Sequence, residues 1–114
     1  MLSLLQDFTH FKQLIEDQKD FFVYKYNPNQ CPLSDKTKPK VENFLVSSEV
    51  EGVMIDVIKQ PELKIAVADY LDIPHESPQI LCFKQWDYIA HTSHMKIRES
   101  WLEEVYEENR ELRA

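Results

Sequence analysis

An aromatic run, a tight turn and a Cys-Pro step follow one another without a gap between residues 21 and 32. Phe21 to Tyr26 reads FFVYKY, the aromatic and β-branched composition of a strand. Asn27-Pro28-Asn29 ends it, because Pro and Asn favour turns. Cys31-Pro32 then opens a helix, since proline suits the first turn, where its missing N–H would have no partner anyway. Val41, Phe44 and Leu45 carry the apolar spacing of that helix onward, past Pro39. A strand leading directly into a proline-started helix points to layered α/β structure.

The remaining segments extend the same alternation. Phe11, Leu14 and Ile15 recur at helical spacing after Thr9, a reasonable N-cap. Gly52 to Ile58 (GVMIDVI) is a second strand, and Pro61 starts a helix with Leu63, Ala66, Val67, Tyr70 and Leu71 as its apolar face. Gln79 to Phe83 is a third strand, with a fourth from Asp87 to His91 after a turn at Gln85-Trp86. Ile97, Trp101, Leu102 and Val105 mark a last helix whose acidic residues form a solvated face. The order is α-β-α-β-α-β-β-α. A right-handed strand–helix–strand unit followed by a hairpin and a helix gives a four-stranded mixed sheet with helices on both faces. This is the core of the thioredoxin and glutaredoxin architecture, and the expected fold class is α/β, thioredoxin-like.

Composition limits the rest. A chain of 114 residues supports one domain, 1–114, and 43% hydrophobic residues are enough for its core. With 20 acidic against 13 basic residues the net charge is −7. Lacking a basic surplus to displace counterions, such a chain is not expected to bind nucleic acid or an anionic membrane. Met1 to Leu5 is too short for a signal segment and no run reaches membrane-spanning length, so the expected location is cytoplasmic. The chain is expected to be a monomer. The two cysteines, Cys31 and Cys82, should rest as thiols in a reducing compartment. The histidines do not combine with them at zinc-finger spacing, and no metal is expected.

Cys31 is the candidate nucleophile. At a helix start its thiolate faces unpaired N–H groups and the positive end of the dipole, and both lower its pKa. Ser34 stands three residues on, where a dithiol oxidoreductase has its resolving cysteine. Its hydroxyl is a possible donor to the Cys31 thiolate. Pro39 falls eight residues after Cys31, the offset of the kink proline in thioredoxins. Pro78 precedes the third strand, where thioredoxin-like folds carry a cis proline that frees the backbone of the preceding residue, here Ser77, to pair with an extended substrate. Cys82 alternates with Leu81 and Phe83 and reads as a core residue. His91 and His94 flank Thr92-Ser93. They suit a carboxylate-bearing ligand or a proton shuttle, or else simply belong to a polar, helix-capping connection. Lys25, Lys36, Lys38 and Lys40 surround Cys31 in sequence and suggest a local basic patch that would suit an anionic thiol.

Three segments together resemble one family. Cys31-Pro32-Leu33-Ser34 is similar to its C-P-[I/L]-S active site, His75-Glu76-Ser77-Pro78-Gln79 to its H-x-S-P-Q segment, and His91-Thr92-Ser93-His94 to its H-x-S-H segment. The family is the monothiol bacilliredoxins, and the resemblance covers nearly the whole chain. It implies a thioredoxin-like fold and removal of bacillithiol, a cysteinyl-glucosaminyl-malate thiol, from protein mixed disulfides. The implied catalytic residues are Cys31, Pro32 and Ser34. The implied substrate-binding residues are His75, Ser77, Pro78, His91 and His94. No bound cofactor is implied; bacillithiol is the co-substrate and bacillithiolated client proteins are the partners. Two other readings compete. A glutathione-type monothiol glutaredoxin usually carries Thr-Val-Pro where this chain has Glu76-Ser77-Pro78. A non-catalytic binding or redox-sensor module would keep Cys31 near the ordinary thiol pKa of about 8.5.

Overall fold

The computed structural model describes residues 2–17, 20–28, 32–84 and 87–113, without the side chains of 33, 34, 87, 89 and 108–113. Its elements are β1 (Leu2–Leu4), α1 (Phe8–Glu16), β2 (Phe21–Tyr26), α2 (Pro32–Ser48), β3 (Glu51–Asp56), α3 (Pro61–Leu71), β4 (Gln79–Lys84), β5 (Asp87–Ser93), a 3₁₀ turn (His94–Lys96) and α4 (Glu99–Arg113). The sheet has five strands in the order β1-β3-β2-β4-β5. β1, β3 and β2 run parallel, while β4 and β5 are antiparallel to their neighbours.

The fifth strand corrects the four-stranded expectation. β1 is three residues long, too short to show alternation, and only its position on β3 makes it a strand. Leu5 N donates to Met54 O at 2.8 Å and its side chain is fully buried, which anchors the edge. Two boundaries also move for local reasons. Asp7, not Thr9, caps α1: its Oδ1 accepts from His10 N at 2.7 Å. β3 stops at Asp56, not Ile58, because Asp56 Oδ1 accepts from the N–H groups of Ile58 and Lys59 at 3.0 Å and turns the chain. α2 runs unbroken through Pro39 to Ser48.

Alternation along β2 divides the core. Phe21 and Val23 pack with Leu81, Phe83, Phe11, Leu14, Leu63 and Val67 on the α1/α3 face. Phe22 and Tyr24 pack with Ile80, Cys82, Val41, Phe44, Leu45 and Leu102 on the α2/α4 face. Phe21 stacks on Phe83 with ring centroids 4.5 Å apart, and Phe22 meets Phe44 edge-on at 5.1 Å. Each such ring, fully buried, contributes about 1.5–3 kcal/mol. Among the described residues, no helix is long and apolar enough to cross a membrane.

Candidate functional site

Parallel strands in α/β sheets gather ligands at their carboxyl ends. Here β2 ends at Tyr26, whose carbonyl accepts from Val57 N at 3.0 Å, so β2 and the exit of β3 stay in step. α2 begins at Pro32, directly after Cys31 in sequence. Two tyrosines fasten that helix to β2. Tyr26 OH donates to Asp35 Oδ1 at 3.0 Å, and Lys38 Nζ sits 5.1 Å from the centre of the Tyr26 ring. Tyr24 OH and Thr37 Oγ1 share a buried hydrogen bond of 2.6 Å. Strand end and helix start are thus held on both sides of the junction. Cys31 itself lies outside the described residues, as does the side chain of Ser34; Pro32 is exposed at the head of α2.

The second wall is the connection from α3 to β4. The Ser77–Pro78 peptide bond is cis, and Pro78 is buried. The Pro78 carbonyl accepts from His94 N at 3.0 Å, next to the Gln79–Ser93 pair of the β4–β5 ladder. Two segments distant in sequence, His75 to Gln79 and His91 to His94, therefore meet as neighbours. His94 reaches this contact in the left-handed region (φ 55°), which histidine tolerates better than most residues. Ser77 Oγ is buried and has no hydrogen-bond partner among the described residues.

The three histidines expected at the site have different surroundings. His94 is exposed at the start of the 3₁₀ turn. His91 is exposed too, and its Nδ1 is hydrogen-bonded to Tyr88 OH. His75 is half-buried, with Nδ1 3.2 Å from Lys25 Nζ. Burial, then the charges of Lys25 and Lys64, push its pKa down to about 4. At neutral pH it is an uncharged acceptor.

Lys25 is a correction. The expected basic patch around Cys31 included it, but its side chain is 0% exposed. Both faces of β2 are covered by core, so every side chain from Phe21 to Lys25 is buried, and parity only assigns Lys25 to the face of Phe21 and Val23. Lys36 and Lys40 are exposed on α2, and Lys38 covers Tyr26. Cys82 is fully buried, and burial pushes its thiol up to about 12, so it stays protonated within the core.

Two features escaped the sequence reading. Gln79, also fully buried, donates from Nε2 to Pro74 O at 3.2 Å and accepts from Glu76 N at 3.5 Å. It clamps the backbone that leads into the cis bond. The Lys25–His75 contact was the other. Its one sequence signal was a lysine within an otherwise aromatic and β-branched strand.

A sheet with β2 at its centre, a proline-started helix leaving it and a cis proline opening the next strand define the chain as a thioredoxin-fold domain. A solved structure described as a candidate oxidoreductase with a thioredoxin fold superposes with a TM-score of 0.86 and 27% identity, covering 92% of this chain and 93% of that one. Mitochondrial thioredoxin 3 of Saccharomyces cerevisiae superposes at 0.74 with 17% identity, covering 94% of both chains. The thioredoxin of Trypanosoma brucei brucei superposes at 0.76 with 7% identity, covering 97% of this chain and 92% of its own. Within this fold the chain belongs to the monothiol bacilliredoxin BrxC family, whose model matches residues 3–102.

Proposed function

We propose that this domain is a monothiol thiol–disulfide oxidoreductase that removes bacillithiol from protein mixed disulfides through Cys31. The observation that carries this reading is the family match. Its range, residues 3–102, includes Cys31-Pro32-Leu33-Ser34, His75 to Gln79 and His91 to His94. The buried state of Cys82 supports it, since a thiol held at about 12 offers almost no thiolate at neutral pH.

The chemistry is two exchanges. Cys31 thiolate attacks the bacillithiol sulfur of a client's mixed disulfide. The sulfur–sulfur bond to the client breaks, a Cys31–bacillithiol disulfide forms, and the client leaves as a thiolate that takes a proton from solvent. A second bacillithiol thiolate then attacks the same bacillithiol sulfur. It leaves as the symmetric disulfide and Cys31 returns as thiolate. The unpaired amides at the head of α2 favour the charged sulfur as attacker and again as leaving group. Ser34 supplies a hydroxyl donor, and the Ser77 backbone beside Pro78 pairs with the extended client. On this reading no cofactor is bound, and the domain acts as a cytoplasmic monomer.

Intact-mass spectrometry after mixing with oxidised bacillithiol tests this. The wild type gains one bacillithiol and Cys31→Ser gains none. Labelling at Cys82 instead, or adduct formation by glutathione disulfide in preference to bacillithiol disulfide, contradicts it.

A further inference from the structure

A fully buried lysine is costly unless something uses its charge or its protons. Lys25 Nζ lies 3.2 Å from His75 Nδ1. A charged ammonium has only donors, so the ring accepts at Nδ1 and keeps its own proton on Nε2. Lys25 is also the strand partner of Gln79, whose amide grips the backbone at Pro74 and Glu76. The chain entering the cis bond is therefore held three times over: at 74 and 76 by Gln79, and at the ring of 75 by Lys25. Beyond the bond, the Pro78 carbonyl is fixed by His94 N.

We propose that Lys25 is a positioning residue of the exchange site: its buried amine holds His75, and through it the 75–78 segment, in the conformation that receives the client disulfide. This inference rests on the exchange function proposed above and adds a residue to it. The charged groups facing the amine are Lys64 of α3 and Glu76 of the α3–β4 connection, with the neutral His75 ring. Burial and Lys64 bring Lys25 down to about 8, against the opposing charge of Glu76. The charge-assisted bond to His75 is thus present at neutral pH and weakens as pH rises past that value.

The test measures how fast oxidised bacillithiol forms the Cys31 adduct from about pH 6 to about pH 9. Each rate is divided by the iodoacetamide alkylation rate of the same protein at the same pH. Alkylation by a small reagent reports thiolate availability without needing the 75–78 segment. In the wild type the ratio is level to about pH 8 and then falls. In Lys25→Met it is lower by about tenfold, the scale of a misplaced reactant, and flat with pH. His75→Leu behaves alike, and the double variant loses no more than the worse single.

An unchanged ratio in Lys25→Met, or additive losses in the double variant, overturns the inference. So does a shift of the alkylation inflection with the ratio intact, which would make Lys25 act on the thiol directly. If Lys25→Met does not fold, Lys25→Gln is read by the same ratio. A wild type that forms no adduct overturns the exchange function and this inference with it. An adduct formed equally well by the variants overturns this inference alone.

Discussion

His75 and Cys82 show how burial, as the largest of several causes, sets side-chain chemistry here. Burial and two lysines hold His75 near 4 in the folded chain, against about 6.5 when unfolded. Between those values the unfolded chain binds more protons than the folded one, so stability rises with pH across the window. As pH falls from about 6.5 toward about 4, the wild type loses stability that His75→Gln does not lose. Urea unfolding at stepped pH on both proteins checks this; parallel curves would contradict it. Cys82 is governed by burial in the opposite direction, since its charged form is the anion. The native protein should react at one thiol and the denatured protein at two. Cys82→Ala leaves the native count unchanged in a thiol-titration assay.

Among the elements, strand β4 and its connection from α3 carry most of the site's definition. Gln79→Leu keeps the volume of a buried side chain but removes the amide that holds Pro74 O and Glu76 N. The expected cost is about 1–3 kcal/mol for polar groups left without partners, read as a lower urea midpoint. Bacillithiol exchange should fall with it, measured in conditions where the variant remains folded. Strand β3 sets a different limit. Gly52, the sole glycine, pairs with Leu2 on one side and Phe22 on the other, beneath α2. A Cβ there would run into Leu45 Cδ1 and reach Leu2 Cδ2 at 3.2 Å. Leu45 is 1% exposed and has little room to retreat. Gly52→Ala should therefore cost about 1–3 kcal/mol by overpacking, seen as a lowered thermal midpoint.

Over the whole molecule, the sequence revealed the layers better than the contacts within them. The helix–strand alternation and the Cys-Pro and Ser-Pro steps were legible because periodicity and proline act locally. β1 was not, because three residues at a sheet edge become a strand only through pairing with Gly52 to Met54, some fifty positions away. Lys25 was misplaced for a related reason. Charge argued for the surface, but β2 lies between β3 and β4 with core on both faces, so neither parity of its side chains from 21 to 25 reaches solvent. The pairing of His75 to Gln79 with His91 to His94 was half legible: the motifs stood out, but the bond from His94 N to Pro78 O depends on the β4–β5 ladder.

What the fold does as a unit is bring a helix head and a cis-proline wall to the end of one central strand. The account stands or falls on whether that place ionises a sulfur. Iodoacetamide alkylation of the native protein, followed by peptide mapping across a pH series, measures this directly. The account predicts modification at Cys31 with an inflection well below the ordinary thiol value of about 8.5. A Cys31 that resists alkylation, or one that titrates at or above that value, would contradict it.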